Sequence, residues 1–108
     1  MKGSGIVLAA TLLAAGSAHA ALDNAAGEAL MKKDGCAACH AIDKKIVGPA
    51  YQEVAAKYKA DKGAPAKLAE KVKKGGSGVW GPIPMPPNTQ VSDADIKTLV
   101  SWILTLKK

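Results

Sequence analysis

No phenylalanine and no arginine occur in these 108 residues; cysteine and histidine occur twice each, and Tyr51, Tyr58, Trp80 and Trp102 are the only aromatic rings besides histidine. Without phenylalanine a small domain has little large apolar volume of its own, and chains of this size often need a staple to complete a core. Without arginine there is no twin-arginine export signal and no planar fork for gripping carboxylates with two prongs. Two cysteines exclude a disulfide-dense framework. No apolar run approaches the ~20 residues of a membrane-spanning helix; the most apolar stretch runs only from Ile6 to Ala15. No block of consecutive lysines reads as a nucleic-acid arm, and neither an internal repeat nor a linker to a second domain is visible.

That short run has the order of a secretory leader. Lys2 is the positive end, Gly16 and Ser17 break the run, and Ala18-His19-Ala20 fits the small-residue cleavage rule. The expected organisation is a cleaved signal over residues 1–20 and one domain over residues 21–108, exported unfolded to a bacterial periplasm. Removing twenty residues leaves 88, with fourteen lysines against nine acids, a balance of +5. For an exported protein without a membrane span, such a surface suits an acidic protein partner rather than nucleic acid. A monomer without stable membrane insertion is expected.

Four helices and no convincing strand are legible. Leu22, Ala25, Ala26, Ala29 and Leu30 make an apolar stripe on a helix from Asn24 to Lys33, which Gly35 ends. A second helix starts at Pro49, a good first-turn residue, with Tyr51, Val54, Ala55 and Tyr58 on one face. A third runs from Pro65 to Lys74 and stops at Gly75-Gly76. Ser92 caps the last, Asp95 completes a capping box, and Ile96, Leu99, Val100 and Ile103 form its buried stripe, with Trp102 facing the first helix. Between Gly75 and Val91 no periodic element fits. A long loop stiffened by Pro82, Pro84, Pro86 and Pro87 implies that one of its side chains must be held in place.

Cys36-Ala37-Ala38-Cys39-His40 carries the chemistry. C-x-x-C-H is the attachment pattern of a c-type haem. Thiols at i and i+3 lie on one face of a helical turn, where each can add to a vinyl group on one haem edge, and the next histidine can reach the iron. The competing readings are weaker. A thioredoxin-like dithiol needs a βαβ context, a structural zinc site needs four ligands, and a plain disulfide leaves His40 unexplained. One covalently bound haem c per chain is expected, and the haem-free chain should fold poorly.

Haem iron takes an axial ligand on each side. His40 supplies one; His19 leaves with the leader, so no second histidine remains. Met1 is the initiator, Met31 lies on the first helix and reads as core, and Met85 lies in the stiffened loop. Met85 is therefore the expected distal ligand, with a lysine at high pH or an empty sixth position as alternatives. A thioether ligand stabilises ferrous iron and raises the reduction potential, and a filled coordination sphere leaves no position for a substrate.

The stretches G-C-A-A-C-H-A-I-D (35–43), V-G-P-A-Y (47–51), G-V-W-G-P-I-P-M-P-P-N (78–88) and V-S-D-A-D (91–95), with Trp102, resemble the small bacterial class I cytochromes c of the cytochrome c-551 type. The resemblance implies an all-α fold of about four helices around one haem. It implies thioethers at Cys36 and Cys39 and iron ligation by His40 and Met85. It further implies a hydrogen bond from the His40 ring to the Pro49 carbonyl, one from Asn88 near the Met85 sulfur, and an indole N–H from Trp80 to a haem propionate. Lys71 stands where relatives often carry arginine beside a propionate, and Thr89-Gln90 lengthen the loop before the last helix. The function implied is that of a one-electron carrier, not an enzyme. Its donors would be respiratory cytochromes, and its acceptors a nitrite reductase, a terminal oxidase or a cytochrome c peroxidase. Lys32, Lys33, Lys44 and Lys45 flank the motif and could steer an acidic partner. The alternative is a ligand-binding haem protein, a gas sensor or small peroxidase, with a displaceable Met85.

Overall fold

The computed structural model describes residues 22–107. The expected leader, with His19 and Met1, lies outside them. Helix α1 covers Asn24–Lys33, α2 Tyr51–Lys57, α3 Ala64–Lys74 and α4 Asp93–Ile103; strands β1 (Gly76–Gly78) and β2 (Gly81–Met85) lie between α3 and α4. Capping sets several of these ends. Asp23 accepts a hydrogen bond from the Ala26 amide at 2.8 Å, and Ser92 Oγ accepts one from Asp95 at 3.1 Å, each satisfying an orphan donor of a first turn. Gly35 ends the α1 segment at φ 84°, a conformation glycine adopts without steric cost.

Helix α4 is the hub, packed against α1, α2 and α3. On one side Leu99, Trp102, Ile103 and Leu106 join Met31 of α1 and Tyr51, Val54 and Ala55 of α2. On the other, Ile96 and Val100 meet Val91, with Leu68 and Val72 of α3 against them. Trp102 is completely buried; its indole N–H donates to Asn24 Oδ1 at 3.1 Å, and its ring meets Tyr51 edge-on at 5.9 Å. An aromatic of this size packs so close to a helix axis only where the helix has no side chain. Gly27 provides that opening: a Cβ there would clash with the Trp102 ring atoms.

Several features differ from the sequence expectations. In α1 the stripe residues Ala25, Ala26 and Ala29 are exposed, and Gly27 and Met31 are the buried ones. Helix α3 begins at Ala64, one residue ahead of Pro65. Helix α2 begins at Tyr51 rather than Pro49, with Ala50 as its extended N-cap. The stretch read as a loop contains an antiparallel hairpin, β1 pairing with β2 through Gly76↔Met85 and Gly78↔Gly81. Its strands are glycine- and proline-rich, so they lack the alternating apolar pattern that marks a strand. Prolines at 82 and 84 donate no ladder hydrogen bond, which confines β2 to one pairing partner.

Gly27→Ala tests the close approach of α1 and α4. In an ordinary helix interior the change would stabilise by about 1 kcal/mol; here overpacking against Trp102 should destabilise by about 1–3 kcal/mol, read as a lower denaturation midpoint. A raised midpoint would show that the contact is slack.

Candidate haem site

The motif Cys36–His40 lies in the connection between α1 and α2. Cys36–Ala38 form a single 3₁₀ turn, in which residues i and i+3 eclipse, so Cys36 and Cys39 share a side. Backbone bonds from Cys39 and His40 to the Cys36 carbonyl, at 3.1 and 3.0 Å, close the turn. The two cysteines are not bridged to each other. The chain then doubles back: Gly48 N–H donates to the Cys39 carbonyl at 2.8 Å, which brings Pro49 beside the His40 ring.

His40 Nδ1 lies 2.8 Å from the Pro49 carbonyl. A carbonyl only accepts, so Nδ1 carries a proton here, and in the neutral ring Nε2 is then the nitrogen with the lone pair a metal requires. The late start of α2 matters here. Pro49 lies ahead of the helix, so its carbonyl goes to His40 rather than into a helical ladder. Tyr51 stacks on the same imidazole at 4.8 Å and 23°. Gly48 covers its edge so closely that an added Cβ would lie 2.6 Å from Cε1.

Across from this loop stands the hairpin. Met85 closes β2, and the backbone around it is held at two points. Asn88 clamps the segment to α3, its backbone and side-chain nitrogens both donating to the Val72 carbonyl, at 3.1 and 3.0 Å. The same amide reaches the Pro86 carbonyl at 3.2 Å. Gly75, at φ 73°, lets the chain pass directly against the Met85 carbonyl and Pro86–Pro87 backbone.

Between the hairpin and the helices lies a cleft of about 280 Å³. Cys36, Cys39, His40, Pro49, Lys71, Trp80, Met85 and Asn88 all line it, so the fold gathers every site residue singled out from the sequence. The remaining lining is largely apolar, including Tyr51, Val54, Tyr58, Leu68, Leu99, Val100 and Ile103, and no Asp or Glu contributes. Val47, Val79, Trp80 and Ile83 form an exposed apolar rim. Lys71 and Lys45 supply the positive charge. Burial pushes the Cys36 thiol above its ordinary pKa, with a hydrogen bond from Tyr51 opposing; burial and the charge of Cys36 likewise push the Tyr51 phenol up. A reactive exchange dithiol needs the opposite shift.

The lining fits a flat apolar group with an anionic edge, two thiols to anchor it and a neutral imidazole with thioether sulfur as donors. A second groove lies on the α1 side of the motif and also reaches His40, but Glu28, Asp43 and Lys32 rim it and it contains neither cysteine nor Met85. Of the flanking lysines, Lys33 pairs with Asp95 at 3.6 Å, Lys32 faces this second groove, and Lys45 lines the cleft. Sequence reasoning missed Gly48, Val72 and Tyr51 as neighbours of the site; only their spacing from His40 and Asn88 in the folded chain reveals them.

Residues 24–107 match the cytochrome c family model. The chain is 53% identical over 103 residues to the cytochrome c-552 of Nitrosomonas europaea, covering 95% of this chain and 94% of that protein. It is 59% identical over 80 residues to the cytochrome c-551 of Pseudomonas aeruginosa, covering 74% and 76%. The crystal structure of wild-type N. europaea cytochrome c552 superposes with a TM-score of 0.72 at 57% identity, covering 74% of this chain and 99% of that one. The class 1 cytochrome MtoD of Sideroxydans lithotrophicus superposes at 0.66 with 36% identity, covering 79% and 97%.

Gly48→Ala should push the imidazole off the Pro49 carbonyl. The expected result is faster solvent exchange of the His40 Nδ1 proton by NMR; an unchanged exchange rate would mean that the ring is not confined by Gly48.

Proposed function

The chain belongs to the cytochrome c family, as a small monohaem class I member with that fold, and we propose that it is a periplasmic one-electron carrier. The observation that supports this best is the convergence of Cys36, Cys39, His40 and Met85 on one apolar cleft. In this reading Cys36 and Cys39 would hold a haem c through thioethers to its two vinyl groups, His40, oriented by Pro49, would supply one iron ligand through Nε2, and Met85, on the segment that Asn88 clamps, would supply the other. One haem c so attached supplies an Fe(III)/Fe(II) couple.

Each side chain then has a role in electron transfer. His40 is fixed by a hydrogen bond, a stacked ring and the close Gly48 backbone, so its position changes little between oxidation states. The Met85 sulfur favours ferrous iron. Two protein ligands leave no open position, which separates a carrier from an enzyme. Lys71 and Trp80 stand at the cleft for the propionates. The apolar rim of Val47, Val79 and Ile83 suits brief docking of a redox partner, and lysines around it suit an acidic one, by attraction that weakens with salt. Respiratory cytochromes as donors, with a nitrite reductase, terminal oxidase or peroxidase as acceptor, agree with this chemistry. Export by a cleaved leader would put the carrier where such partners are.

Carbon monoxide distinguishes this reading from a ligand-binding haem protein. The reduced protein should bind it negligibly at neutral pH, and Met85→Ala should bind it readily. Rapid binding by the unaltered protein would overturn the carrier assignment in favour of a gas sensor or peroxidase.

A further inference from the structure

A lysine that does not itself line the cleft stands over two of its aromatic residues. It is Lys57, the last residue of α2, whose Nζ lies 5.7 Å from the centre of the Trp80 ring and 5.9 Å from that of Tyr58, both of which line the cleft. A cation this close to the rings is attracted by their negative faces, most strongly by an indole.

The position of Trp80 gives this contact a consequence. Trp80 sits in the turn between β1 and β2, 40% exposed, and lines the cleft. The base of the hairpin is tied to α3 through Asn88 and Val72, but its tip has no comparable hydrogen bond to the helices among the described residues. Lys57 ties the tip to α2. The cleft has no acidic lining residue, and Lys71, lacking a planar fork, meets a carboxylate only as a point charge. A haem has two carboxylates at one edge.

We propose that Lys57 is a positioning residue for that carboxylate edge: seated on the Trp80 indole, it holds the ring at the cleft and adds its positive charge, across that wall, to those of Lys71 and Lys45. This rests on the haem assignment above and goes beyond it by naming a residue absent from the attachment motif, the ligand set and the cleft lining. Holding the indole keeps its N–H in place to donate. The added charge favours the oxidation state with one positive charge fewer, the ferrous one.

The test uses haem-loaded protein and two variants. Lys57→Met keeps the length of the side chain and removes its charge; Lys57→Arg keeps the charge and the affinity for the indole face. In Lys57→Met the ferrous-to-ferric equilibrium should move toward ferric by about two- to threefold, the scale of one partly solvated charge. The Trp80 indole proton should exchange with solvent several-fold faster. The Trp102 indole proton, bonded to Asn24, should be unaffected and serves as the internal reference for folding. Lys57→Arg should restore both readouts. An unchanged equilibrium, an unchanged Trp80 exchange rate or a failure of arginine to rescue would each overturn the proposal. Unaltered protein that carries no covalent haem would instead overturn the underlying assignment, and that is seen before any variant is made.

Discussion

The hydrogen bond between His40 Nδ1 and the Pro49 carbonyl is the contact on which the rest of the structure depends. It requires Pro49 to stay outside α2, which is why that helix starts at Tyr51. It requires Gly48 to pass against the ring, which no residue with a Cβ does without displacing it. The helix start in turn places Tyr51 on the imidazole face and edge-on to Trp102. Trp102 then closes on Gly27 and Asn24 of α1. A line of contacts therefore runs from the proposed iron ligand through α2 and α4 to the first helix. The core that holds the fold and the group that holds the ring are one packed unit.

The opposite wall is built on different physics. Glycines at 75, 76, 78 and 81 adopt positive φ, and prolines stiffen the intervening backbone. Such a hairpin has little packing of its own and would be loose without the double grip of Asn88 on the Val72 carbonyl. A stiff segment clamped at its base presents Met85 without burying it in a core. The cleft thus has one wall made rigid by packing and another by backbone restriction.

Much of this is legible in the amino-acid order. The end of α1 follows from Gly35 and the bounds of α4 from Ser92 and Asp95, because caps act within a few residues of where they stand, whereas the Asp23 cap of α1 is seen only in the structure. Met31 reads as core by elimination among the methionines, and Trp102 as the contact to α1 by its size; both are buried there. The C-x-x-C-H spacing points to haem because its chemistry is local. What is not legible acts across the fold. Only the family resemblance points the Pro49 carbonyl at His40; the first-turn proline rule alone places the helix start two residues too early. The hairpin escapes notice because glycine and proline erase the alternation by which strands are read. Gly27 and Gly48 carry no mark of which ring they face, and Lys57 reads as one solvated lysine among many.

As a proposed carrier, the molecule combines a donor set that suits both iron states with an edge open to a partner. The central claim is six-coordinate His40/Met85 ligation of a covalently attached haem. The visible absorption spectrum of the mature protein, assembled with haem-attachment machinery and recorded oxidised and then reduced, tests it most directly. A sharp reduced α-band together with the weak long-wavelength sulfur-to-iron band of the ferric form is the expected result. A high-spin ferric spectrum lacking the sulfur band would mean that Met85 is not on the iron, and would contradict it.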